Sequence, residues 1–221
     1  MHYPTDGQNQ LRLLSVTAKQ LAELSFEALK LLMITIVAYR TAWRTEFETV
    51  GRQLREVLDG LALRIDHIGS TSVPGLAAKD IIDIQVTVAK LELPVEKALS
   101  QAGFQRKIDI VQDHRPPLGS EHDEDWKKWF FKPAMNQWPI NLHVRCLGRA
   151  NQRYPLLFRD YLRTHSAVAE AYARVKIALA QRHPNDADAY YDVKDPVCDI
   201  IMGGAEEWAR QTNWTQPPSD C

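Results

Sequence analysis

The sequence predicts an α+β fold: a mixed β-sheet with flanking helices and a helical C-terminal part. Three observations carry that expectation. Asp80–Val88 and Ile140–Arg145 alternate apolar and other side chains with period two, as half-buried strands do. Phe47, Val50, Leu54 and Val57 recur at helical spacing ahead of them. Beyond Gly148 the pattern is helical almost to the end. With 221 residues, 45% hydrophobic and 25% charged, the chain suits one domain with appendages and a sizeable core.

Residues 1–10 are polar and carry Pro and Gly, so a loose lead-in is expected. Leu14, Leu21, Leu24, Leu29 and Leu32 give Leu11–Leu32 the pattern of an amphipathic helix, packing on the body or on a second copy of the chain. Met33–Tyr39 is rich in β-branched residues and reads as a short strand or extended entry. A helix over Thr41–Leu58 stops at Asp59–Gly60, and Leu61–Ile68 is a strand. Gly69–Lys79 holds Ser, Gly and Pro and reads as a turn into a short helical stretch. After the strand Asp80–Val88 come a helix over Leu93–Gly103 and a strand over Phe104–Val111. Gln112–Asp125 is a polar loop with an acidic run at 121–125, which reads as a solvated helix start or a metal site. Trp126, Trp129, Phe130 and Phe131 are expected in the core. Lys127–Lys132 and Pro139–Cys146 form a hairpin about the turn at 134–137. Helices over Arg153–Thr164, Ala167–Arg182, Ala187–Tyr191 and Pro196–Gln211 follow, then a loose tail.

Composition narrows the function classes. A formal net charge of -1 gives no global field to attract a nucleic-acid backbone or an anionic membrane. Three cysteines, Cys146, Cys198 and Cys221, lie too far apart for a disulfide framework and include no CxxC pair for zinc. The longest apolar run falls well short of the roughly 20 residues of a membrane span. No secretory signal is expected, and the expected location is cytoplasmic.

The chemistry concentrates in Gly69–Asp83. Gly69 lets the backbone approach a ligand closely. Ser70, Thr71 and Ser72 offer hydroxyls beside the free N–H groups of a helix start, which favour anions. Strand parity puts Ile82, Ile84 and Val86 on one face and Asp83 and Gln85 on the other. By the same rule Asn141, His143 and Arg145 share a face opposite Ile140, Leu142 and Val144. If the two strands are neighbours, Asp83, His143 and Arg145 converge on one cleft. Arg145 suits a phosphate or carboxylate, and His143 a base, donor or metal ligand. Each residue also has a structural reading: the Ser/Thr cluster as a turn, Asp83 as a solvated sheet residue, His67 as a cap on backbone groups.

The strings HIGSTSVPGLAAKDIIDIQV, INLHVR and NQRYPLLFRDYLR resemble the GrpB family, over roughly residues 33–202. That resemblance implies an N-terminal extension at 1–32, a main domain at 33–205 and a tail at 206–221. The family is similar to the nucleotidyltransferase superfamily, which implies a nucleotidyltransferase-like sheet. There a Gly-Ser turn holds a nucleoside triphosphate, and two acids one residue apart, with a third from a neighbouring strand, bind Mg²⁺. On this chain Gly69 and Ser70 match the turn and Asp83 the second acid, hence the metal position. Ile81 stands where the first acid belongs, and Asn141 and His143 stand on the strand of the third.

The resemblance implies nucleotidyl or related phosphate transfer to an unknown acceptor. Ser70, Thr71 and Ser72 would hold phosphates, Lys79 and Arg145 would offset charge, and His67 or His143 would serve as base or ligand. The alternative it leaves is a non-catalytic nucleotide- or metabolite-binding module that has lost the two-metal site. Family members fused to dephospho-coenzyme A kinase hint at cofactor metabolism. The expected partner is a small nucleotide or phosphorylated metabolite, not nucleic acid or membrane, with a homodimer through residues 1–32 as a further option.

Overall fold

A computed structural model describes residues 33–117, 119–134 and 139–221. The helix expected over Leu11–Leu32 and most of the hairpin turn lie outside the described residues. Residues Ile34–Cys221 form one compact unit. Its strands are β1 (Ala62–Ile68), β2 (Ile82–Val88), β3 (Phe104–Arg106), β4 (Trp129–Pro133) and β5 (Ile140–Cys146). Its helices are α1 (Ala42–Leu58), α2 (Leu93–Gln101), α3 (Ala150–Thr164), α4 (Ser166–Arg182) and α5 (Ala187–Thr212).

The five strands make a mixed sheet in the order β1-β2-β5-β4-β3. β2 and β5 run parallel, with Asp83 opposite Asn141 and Gln85 opposite His143. β1–β2, β4–β5 and β3–β4 are antiparallel. The fold is therefore α+β, as the alternating patterns imply.

One sheet face is the core. Ile82, Ile84, Val86, Leu142 and Val144 pack there with Trp43, Phe47, Leu54 and Leu58 of α1 and Val95 and Leu99 of α2. Complete burial of a Leu or Ile is worth roughly 1.5–3 kcal/mol, so this apolar face fixes the register of β2 and β5. Trp126, Phe130 and Phe131 are buried as expected. The other face carries Asp66, Gln85, Thr87 and Arg145, all buried. There Gln85 Nε2 donates to Gln152 O of α3 at 3.0 Å. Among the described residues, no helix is long and apolar enough to cross a membrane.

Several expected elements differ. Met33–Tyr39 contributes a single bridge, Val37 with Ala78, because its partner is the irregular turn region and not a strand. The strand expected to Val111 ends at Arg106, where the chain turns and Ile110 N donates to Lys107 O at 3.2 Å. The two helices expected about Pro196 are one helix, Ala187–Thr212. An interior proline removes one helical hydrogen bond, and the helix is packed on both sides of it, Tyr190 against Leu179 and Met202 against Leu157.

The tail is ordered, contrary to expectation. Ser219 Oγ accepts from Ile65 N at 2.8 Å, and Cys221 N donates to Ile65 O at 3.1 Å. Asp220 Oδ2 accepts from His67 N at 2.9 Å and from Arg159 Nη1 at 2.7 Å. The outer edge of β1 has backbone groups unpaired by β2, and the tail satisfies them.

Candidate functional site

The polar faces of β2, β5 and β4 line up under one cavity of about 620 Å³. Parity on β2 presents Asp83, and parity on β5 presents Asn141 and His143. On β4 the same rule presents Phe130 and Lys132, since Phe130 sits opposite His143, and Lys128 lies one residue before the strand. Ser70 and Lys79 bound the cavity from the turn region. Tyr172 and Lys176 of α4 line it too, as do Tyr190, Tyr191, Lys194 and Asp195 of α5.

Gly69 joins the turn to Asp83. Its φ of +69° lies in the left-handed region, and a Cβ there would come within 2.9 Å of Asp83 Cβ and Cγ. Glycine therefore permits both the turn and its close contact with the carboxylate. Asn141 Nδ2 donates to Asp83 Oδ1 at 2.6 Å, and His143 Nε2 lies 3.8 Å from the same oxygen. Burial pushes the Asp83 carboxyl up, but His143 and the Asn141 amide outweigh it and hold Asp83 below the usual carboxylate range. Burial, aided by the Arg145 charge, lowers His143 to about 4 against the opposing pull of Asp83. His143 is thus a neutral imidazole at pH 7, with Nδ1 3.2 Å from Arg145 Nη2 and Nε2 turned to Asp83.

Some expected site residues do not join this cavity. His67 sits opposite Ile84, so parity turns it to the core face. It stacks on Phe47 at 4.7 Å, and its Nε2 bonds Thr71 Oγ1 at 2.9 Å. Burial lowers its imidazole to about 3. Thr71 and Ser72 line a separate cavity of about 460 Å³ with His67, and Ser72 Oγ donates to Gly69 O at 2.6 Å. Of the three hydroxyls only Ser70 borders the Asp83 cavity.

Arg145 is near the cavity but already engaged. Its Nε and Nη2 donate to Asp113 at 2.8 Å each, and its Nη1 donates to Gln85 Oε1 at 2.8 Å. A buried guanidinium needs its counter-charge, so Asp113 claims it and a ligand does not. Burial pushes Asp113 up, yet Arg145 and Lys128 hold it far below the carboxylate range.

Sequence reasoning missed Asp113, Lys128, Lys132, Lys176 and Lys194. The alternation Lys128, Phe130, Lys132 was a usable signal, and so was the i, i+4 pair Tyr172 and Lys176. Asp113 gave none, because a loop of irregular backbone delivers it.

The donor set does not fit a two-metal centre. Two ions need carboxylate oxygens on both, and β2 offers Asp83 with Ile81 in the companion position. Among the described residues, no group of three or more His, Cys, Asp or Glu is placed to hold a metal. Five lysines line the cavity with Asp83, Asp113 and Asp195 instead.

Comparison with known proteins agrees with the motifs. The GrpB protein family model matches residues 33–203. Conserved protein GrpB from Enterococcus faecalis superposes with a TM-score of 0.62 at 29% identity, over 79% of this chain and 99% of that one. The UPF0157 protein BH1888 of Halalkalibacterium halodurans is 36% identical over 171 residues, 76% of this chain and 80% of that protein. A dephospho-CoA kinase of Mycolicibacterium paratuberculosis is 34% identical over 186 residues, 78% of this chain but 46% of the kinase. The chain therefore spans less than half the length of the kinases it matches. A structure of Cid1 with its short product ApU aligns at 14% identity with a TM-score of 0.42, over 73% of this chain and 46% of that one. The match over residues 33–203 shows that the chain belongs to the GrpB family.

Proposed function

We propose that the chain binds a nucleotide or another phosphorylated metabolite in the Asp83 cavity, and acts on the bound phosphate without a two-metal centre. One observation carries this reading: the cavity's lysines outnumber its available carboxylates. Lys194 is paired with Asp195 at 2.6 Å and Lys128 with Asp113 at 2.7 Å. Among the described residues, Lys79, Lys132 and Lys176 hydrogen-bond only neutral acceptors, respectively Tyr191 Oη, Asn141 Oδ1, and Ser70 Oγ with Ala77 O. Lys79 and Lys132 are thus the cations left to Asp83 among the described residues, while burial brings Lys176 down to about 7. Lys79 and Lys132 are half-buried, and a phosphate group supplies the counter-charge they lack. Phe130, Tyr172, Tyr190 and Tyr191 add apolar wall for a ring or pantetheine-like arm.

A thermal-shift series tests the reading with pyrophosphate, ATP and dephospho-CoA, the last suggested by the names of the kinase relatives. Saturable stabilisation by at least one, diminished in Lys79→Met and Lys132→Met, is expected. No shift with any of them at millimolar concentration would refute the proposal.

The second reading, a non-catalytic binding module, draws on Ile81 in the first acid's position. It predicts saturable binding with no turnover of labelled ATP. Turnover that disappears in Asp83→Ala would decide for catalysis.

A further inference from the structure

We propose that Ser70 is a nucleophile toward a phosphate ester or anhydride, with the Lys176 amine as the base that takes its proton. This rests on the reading of the cavity as a phosphate-ligand site and adds a reaction to it. Lys176 Nζ lies 2.7 Å from Ser70 Oγ and 2.6 Å from Ala77 O, and 4.6 Å from the centre of the Tyr172 ring. The lysine is 3% exposed, yet it and Ser70 both border the cavity. Ser70 follows a glycine in the left-handed region, on a tight 3-10 turn that directs its hydroxyl toward α4.

The hydrogen-bond inventory lets this pair run in either direction. The Ala77 carbonyl only accepts, so it fixes one N–H of Lys176. The neutral amine then has a lone pair to accept the Ser70 proton, while the Tyr172 ring receives a remaining N–H. An ammonium would instead donate to Ser70 Oγ. Burial favours the neutral form and brings Lys176 down to about 7; Lys194 pushes the same way, while Cys198 and Asp83 oppose. Those three groups, with Tyr172 on the same helix, are the titratable neighbours that act on it.

The step balances without an oxidant or reductant. Ser70 Oγ forms a bond to phosphorus as the bond from phosphorus to the leaving oxygen breaks. The Ser70 proton passes to Lys176 Nζ and then to that oxygen. Lys79 and Lys132 face the same space and can offset charge on the phosphoryl oxygens. Base assistance of this kind is typically worth about 10²–10⁴-fold in rate.

The alternative role for Lys176 is a staple between α4 and the turn. Treating the full chain with the phosphorus electrophile diisopropyl fluorophosphate separates the two. There the Ser70 Oγ–P bond forms, the P–F bond breaks and the proton goes to Lys176. Peptide mass spectrometry is expected to find one adduct, on Ser70, forming faster as pH rises with a midpoint near 7. Labelling should vanish in Ser70→Ala and slow by about 10²-fold in Lys176→Met. Lys176→Arg keeps donors but cannot deprotonate, so it should fold, by circular dichroism, and remain unreactive. No adduct on Ser70, an adduct elsewhere, or a folded Lys176→Arg that labels at the wild-type rate overturns the proposal. Pyrophosphate titration of the same wild-type sample keeps the readings apart. Binding without labelling sinks the dyad alone; absence of binding sinks the cavity reading.

Discussion

At Gly69 a single missing β-carbon decides whether the turn and the carboxylate can coexist. The left-handed φ and the contact with Asp83 act together there. Gly69→Ala is expected to lower unfolding free energy by about 1–3 kcal/mol, with the displaced Asp83 carboxylate adding to that. Urea denaturation measures it, and an unchanged midpoint would contradict the close-contact account. His67 and His143 set a pH dependence. Their folded-state values, about 3 and about 4, lie below the ordinary 6.5, so the unfolded chain binds protons that the folded chain refuses. Stability from them is full above about pH 6.5 and declines as pH falls toward 4 and then 3. The melting temperature should therefore drop across pH 6.5 to 4, with a shallower slope in His143→Asn. Parity made the Asp83–His143 meeting legible in the sequence. The same parity, applied through the β1–β2 pairing, sends His67 away, but that register depends on a partner strand and cannot be read from Asp66–Ile68 alone.

Elements were legible where one face had an apolar row. β2 and β5 alternate cleanly and were found, because a one-residue slip would bury Asp83 and His143 in the core. Helix α5 was split in expectation at Pro196, yet tertiary packing outweighs the local break. The tail has no periodicity to read: Ser219 and Asp220 are ordered by β1 backbone groups more than 150 residues earlier in the chain. Deleting residues 219–221 removes the partners of Ile65 and His67 N–H and one acceptor of Arg159. Each lost hydrogen bond costs about 0.5–1.5 kcal/mol, more where a buried group is left unpaired. The truncated chain should melt lower and expose the β1 amides to hydrogen exchange; wild-type protection at Ile65 and His67 would contradict the docked tail.

Across the whole molecule, the cavity is a product of topology. Parallel pairing of β2 with β5 brings Asp83 beside Asn141 and His143, β4 and the residue before it supply Lys132 and Lys128, and α4 and α5 close over them with Lys176 and Lys194. A net charge of -1 concealed this local concentration of lysines, because opposite charges elsewhere cancel it. The motif marked one wall of the site; the opposite wall, from helices a hundred residues downstream, had no local signature. Isothermal titration of ATP into the wild-type chain and into Lys132→Met, each at low and raised salt, tests the central claim most directly. Saturable one-site binding that weakens with salt, and falls at least tenfold in a natively folded Lys132→Met, is the predicted result. Equal affinity in both chains, or no saturable heat in the wild type, would contradict the assignment of this cavity to a phosphorylated ligand.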